Sequence, residues 1–238
     1  MTSTLIAHCG TRKISRDELQ TIAAPPATAT HKPIPHYEVV QALIETLGFR
    51  HIQVVRDEYA VSPDGMKMFG ALDLDYEYSD TRFSIGIRNA NDKSMRLALV
   101  IGTRTTICDN MMFKGDFAPI FHKHTSRLDL TDLLSVGVDK MQRNFEPLKQ
   151  QINEWQTREI SADQAKLVIY RAFVEERFPA KLLTPVHHHY FTPQYEEFKA
   201  RTMWSLANAF TSALKVLKPV RQFQLTAKLG LFLQGMQN

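Results

Sequence analysis

The sequence predicts an α+β fold: an antiparallel four-stranded meander followed by a C-terminal helical layer. Three observations carry this. Between residues 52 and 108 the apolar residues recur with a period of two. The connections between those runs are too short for the crossovers that parallel strands need. From Leu128 onward the period becomes helical, and strands followed by a run of helices indicate α+β architecture.

Each element has its own warrant. Ser15 caps a short helix that starts at Arg16, with Glu18 at the capping-box position. The stretch Ala23 to Pro35 holds four prolines and no apolar period, so it reads as an extended linker or arm. His36 to Leu47 puts Val39, Val40, Leu43, Ile44 and Leu47 on one helical face, and Gly48 stands where a helix ends. A strand from Ile52 to Val61 turns at Ser62-Pro63-Asp64-Gly65 and returns from Met66 to Tyr78. A third strand places Phe83, Ile85 and Ile87 on one face. After the turn Asn89 to Ser94, a fourth runs from Leu97 to Cys108. Helices are expected at 129–156, 161–178 (with Ser161 and Gln164 as a capping pair), 194–217 and 219–235. The parts are then an N-terminal arm and Pro-rich linker over 1–35, a helix plus antiparallel sheet over 36–125, and helices over 126–238 packed on the sheet as one domain.

A chain of 238 residues with 44% hydrophobic content can bury a core, which excludes wholesale disorder. No uncharged run approaches the ~20 residues of a membrane span. The N-terminus lacks a basic start followed by an apolar stretch, and there are two cysteines, so a cytoplasmic protein with reduced thiols is expected.

Charge is balanced up to residue 125 and is 15 basic to 11 acidic beyond it. After Glu197 there is no acid, while Lys199, Arg201, Lys215, Lys218, Arg221 and Lys228 are all basic. Trp204, Phe210, Phe223 and Phe232 are interleaved with them. Cations that replace counterions and aromatics that stack on bases are what single-stranded nucleic acid binding uses. The plainer reading of the same residues is a helix with its aromatics in the core and a solvated basic face.

The densest polar constellation is Arg88-Asn89-Ala90-Asn91-Asp92-Lys93-Ser94. One reading is a hairpin turn built from residues that tolerate left-handed φ. The other uses Arg88, Lys93 and Arg96 for phosphate, with Asn89, Asp92 and Ser94 as orienting groups and Arg104 on the next strand. Asp116, His122, His124, His187 and His189 are candidate ligands for a divalent metal, although their spacings match no strong zinc pattern and loop histidines beside Pro185 and Pro193 are the alternative. Cys108 reads as a buried inert thiol. No cofactor is expected, and no nucleophile elbow, phosphate loop or dinucleotide fingerprint occurs.

The segments Ile87 to Met95, Gly102 to Phe113 and Trp204 to Thr211 resemble a family of phage- and plasmid-borne proteins of unknown function, the domain of unknown function numbered 932. The matching positions are Asn89, Asp92, Ser94, Cys108, Asn110, Asn208 and Thr211. Ala90 and Lys93 replace the family's serine and glycine. The resemblance implies a mobile-element setting and assigns no reaction.

Together these features lead to a DNA-associated accessory protein of a mobile element, more a binder than an enzyme, and most concretely a single-stranded DNA binding or annealing factor. One alternative is a metal-dependent nuclease or phosphodiesterase using Asp92, Asp109, Asp116 and the histidines. Another is an interaction protein that blocks a host factor. A homo-oligomer through Leu225 to Met236, with Leu229, Leu231, Phe232 and Leu233, is a further expectation.

Overall fold

A computed structural model describes residues 12–108, 110–113, 120–217 and 219–236. Among them an antiparallel sheet of seven strands is packed with eight α-helices. The four expected strands are β2 (Val54–Val61), β3 (Lys67–Tyr78), β4 (Thr81–Ala90) and β5 (Leu97–Thr105). Three more extend the sheet. β1 (Arg12–Ile14) pairs with β2, so part of the expected arm is already sheet. β6 (Asn110–Phe113) and β7 (Ile120–His122) lie end to end along the same edge of β5, with Thr103 opposite Met112 and Ala98 opposite Phe121. Strands this short carry too few residues to show alternation in sequence.

Alternation sorts the two faces. Tyr59, Leu72, Leu74, Phe83, Ile85, Ile87, Leu99 and Ile101 enter one continuous apolar core with the helices. Gly70 is required there: a Cβ would lie 2.7 Å from Ile87 and 2.8 Å from the Tyr59 ring. On the other face Asp73 accepts from Ser84 Oγ (2.6 Å) and from Arg104 Nε (3.0 Å), and Arg104 also reaches Glu58 (3.2 Å). These ion pairs reach across the sheet, from β5 over β4 to β3 and β2.

Helices α1 (Arg16–Gln20) and α2 (His36–Gly48) come before the sheet hairpins, and α1 begins with the Ser15/Glu18 capping box. After α2 the left-handed residue is His51, φ 58°, and not Gly48. The single helix expected over 129–156 is two, α3 (Leu130–Arg143) and α4 (Phe145–Thr157). Pro147 has no N–H for the Arg143 carbonyl, and the Asn144 amide bonds back to Lys140 O at 2.7 Å. α5 (Ala162–Val174) starts at the Ser161/Gln164 capping box and is shorter than expected. α6 (Leu183–Phe191) contains His187 to His189, which the sequence places in a loop. Pro185 sits in its first turn, where a missing N–H costs nothing. α7 (Met203–Leu214) is capped by Thr202 and begins nine residues later than expected, after a 3-10 turn at Glu196–Phe198. α8 is Pro219–Gly235. Leu225, Leu229, Phe232 and Leu233 turn into the chain's own core, which leaves Leu231 exposed. No helix among the described residues is long and apolar enough to cross a membrane.

A candidate anion-binding site at the arm-covered end of the sheet

The site is built by docking residues 30–36 onto the ends of β4, β5 and β7. Asn89 Nδ2 donates to Ile34 O and to His36 Nδ1, both at 2.9 Å. With Nδ1 accepting, His36 is neutral and donates from Nε2 to Gly65 O (2.9 Å), and burial holds its pKa below the usual imidazole value. Asn91 Oδ1 accepts the Ile34 N–H at 3.1 Å. The His31 ring lies between two carbonyls, with Nδ1 2.9 Å from His124 O and Nε2 3.2 Å from Asn91 O. Asn89 and Asn91 therefore act as fasteners for the arm.

Beyond them the same turn changes role. Asp92 Oδ1 accepts from Ser94 N–H (3.0 Å) and its Oδ2 pairs with Lys67 (3.2 Å), so its charge is engaged inside the turn. Those contacts and that cation hold its carboxyl below the usual range against some desolvation. Lys93 takes a left-handed φ of 65° and lines a cavity of about 390 Å³ together with Thr30, Ser94, Arg96, Lys123, His124 and Thr125. Among the described residues no carboxylate lines it. Lys93, Arg96 and Lys123 make no ion pair among the described residues. Three cations around one concavity, with serine and threonine hydroxyls as further donors, are groups of the kind that can hold an anion.

His124 forms part of the wall. It is 5% exposed, and neither ring nitrogen has a partner among the described residues. Burial above all, then His31, His36 and His122, pulls its pKa down to about 4. At neutral pH the ring thus offers one N–H donor and one acceptor. Beside the cavity Arg96 lies 4.7 Å and Arg88 5.2 Å from the centre of the Phe121 ring, which is 52% exposed. Arg88 is half-buried, and desolvation lowers its pKa.

The other expected site residues go elsewhere. Arg104, 2% exposed, is committed to Asp73 and Glu58, and is an internal cation with no surface for phosphate. The C-terminal cations form no continuous row: Lys199 pairs with Glu196, Lys228 with Glu176, and Lys215 donates to Cys108 O at 2.6 Å. Arg201 covers the Tyr190 and Phe191 rings, and Arg221 lies near Gln224. Trp204, Phe210 and Phe232 are buried, so they stack on no base. Lys218, Asp109, Asp116 and the Phe223 side chain lie outside the described residues.

No group of three or more His, Cys, Asp or Glu that would hold a metal occurs among the described residues. His122 and His124 sit at the end of β7, while His187 and His189 are on α6. Cys108, Asn110, Asn208 and Thr211 do meet. Asn110 Nδ2 donates to Asn208 Oδ1 (3.0 Å) and Ser212 Oγ (3.0 Å), and Thr105 Oγ1 donates to Asn208 Oδ1 (3.1 Å). Cys108 Sγ lies 4.0 Å from the same oxygen, and Thr211 bonds to Ala207 O within α7. This cluster fastens β6 to α7.

Sequence reasoning found Lys93, Ser94 and Arg96 but missed Thr30, His31, Phe121 and Lys123. Lys123 sits between two histidines that drew the metal reading, and Thr30 and His31 belong to a segment read as a free linker. Comparison with known proteins returns no matching family model, no similar curated protein and no similar solved structure, so the likeness to the phage and plasmid proteins stands on the quoted segments alone.

Proposed function

We propose that the protein is a non-catalytic DNA-binding accessory that holds single-stranded DNA by its phosphates at the arm-covered end of the sheet. One observation carries the reading: Lys93, Arg96 and Lys123 surround a single concavity that no acid among the described residues lines. Phosphate contacts supply most of the affinity of such proteins, and an exposed ring supplies a sequence-tolerant surface for a base. Phe121 is that ring, and Arg96 reaches from it into the cavity. The mobile-element setting in this reading rests on the sequence resemblance of the segments quoted above.

The test is binding of fluorescent single- and double-stranded DNA across a salt series, with and without divalent metal. Binding should weaken steeply as salt rises. Each of Lys93→Ala, Arg96→Ala and Lys123→Ala should reduce the log–log salt slope by roughly 0.7, the value for one lost phosphate contact on a single strand. Lys199→Ala, paired with Glu196 far along the chain, should leave the slope unchanged. Absence of binding at low salt, or binding indifferent to salt, would refute the reading. Strand cleavage on adding metal would replace it with the nuclease.

A further inference from the structure

The cations of a protein that tracks a strand are spread along a path. Here they converge. Past Thr125, which borders both spaces, the neighbouring cavity carries Lys32 and Arg127 but also Glu38 and Asp129, so the lining that is free of acid among the described residues stops there. On the other side Arg96 leads out to Phe121 and Arg88. An internal phosphodiester brings one negative charge to this three-cation site, whereas a terminal phosphate monoester brings about 1.5 to 2 at neutral pH and a third free oxygen. His124 adds an independent requirement. Its imidazole borders the cavity with both ring nitrogens buried and without a partner among the described residues, and a sugar hydroxyl or a base edge, which can donate to the acceptor nitrogen, satisfies it once the ring turns towards the cavity.

We infer that the cavity is a receptor for a phosphorylated DNA end: the terminal phosphate sits among Lys93, Arg96 and Lys123, the terminal nucleoside bonds to His124, and the strand leaves over Phe121. This rests on the DNA-binding reading above and names the part of the strand that is recognised. The chemistry is shared by a 5′- and a 3′-phosphate.

The experiment compares one single-stranded oligonucleotide in four forms on the intact protein: 5′-phosphorylated, 3′-phosphorylated, hydroxyl at both ends, and covalently circular. One phosphorylated form should bind about tenfold more tightly than the hydroxyl-ended form, the worth of one added charge-assisted contact. The circle should bind no better than the hydroxyl-ended strand. Which phosphorylated form gains identifies the end. Arg96→Ala combined with Lys123→Ala should erase the preference, and Lys199→Ala should keep it. Equal affinity for all four forms would overturn end recognition while leaving DNA binding intact. Failure of every form to bind at low salt would overturn both readings. The comparison among DNA forms needs no variant, so a misfolded mutant does not weaken it.

Discussion

Protonating His124 means placing a charge where burial and His31, His36 and His122 already resist one, which is why its pKa falls to about 4 from the ordinary 6.5. Between those values the unfolded chain holds the proton and the folded chain does not. Stability therefore rises with pH through that window and is lost as pH falls from 6.5 towards 4. This residue alone should make the protein about 2 kcal/mol less stable at pH 5 than at pH 7.5. Urea unfolding at both pH values measures this, and His124→Gln should remove that part of the difference; an unchanged difference would assign the acid sensitivity to other groups. Arg104 poses the opposite case, a buried charge that is well partnered. Arg104→Ala leaves Asp73 buried with only the Ser84 hydroxyl among the described residues, while Glu58 keeps Lys13 and Arg56, and should cost about 3–5 kcal/mol in equilibrium unfolding. Little change would mean that water enters and replaces the guanidinium.

Among the elements, the contact between α3 and β7 is the most demanding. A Cβ at Gly137 would stand 2.5 Å from Ile120 Cδ1 and 2.6 Å from its Cγ1. Gly137→Ala should gain about 1 kcal/mol of helix propensity and lose about 1–3 kcal/mol to overpacking, a net loss. Adding Ile120→Ala should make the double variant less unstable than the sum of the two single changes, as a thermal melt of all three would show. Strictly additive losses would place the strain elsewhere. Where an element was legible, one local mechanism was enough. The Ser15 and Ser161 capping boxes and the Gly65 turn, with φ 69°, stand where the sequence puts them. The failures came where a residue's meaning depends on position within an element. Pro185 ends a helix if it is interior and is harmless in the first turn, and only the structure shows that α6 begins at Leu183. β6 and β7 exist because β5 offers them an edge, which no window of four residues records.

For the molecule as a whole, the core was legible and the site was half legible for the same reason. The apolar face of the sheet follows from alternation, but the cavity joins segments that local patterning cannot bring together. His31 places its two ring nitrogens 3.2 Å and 2.9 Å from carbonyls 60 and 93 residues away, at Asn91 and His124. Lys93 and Arg96 were therefore visible as a cluster, while Lys123 was visible only as a neighbour of histidines. At this scale a bound anion should stabilise the entire fold, by about 2.7 kcal/mol at a hundred times its Kd. A thermal shift with the phosphorylated oligonucleotide that is absent for the variant carrying Arg96→Ala and Lys123→Ala would show it. An equal shift in both proteins would place the ligand elsewhere.

The arm that covers the sheet end also sets an order of events. The β2–β5 hairpins join near neighbours in sequence and need little loop closure, whereas the cavity needs residue 31 to wait for residue 124. On the ribosome the arm emerges before β7 and lacks its His124 contact until β7 has been made. The space bounded by Lys93, Arg96 and Lys123 thus has no closed form while the first half of the described residues is being made, and it takes shape only once the segment through Thr125 is available to the arm.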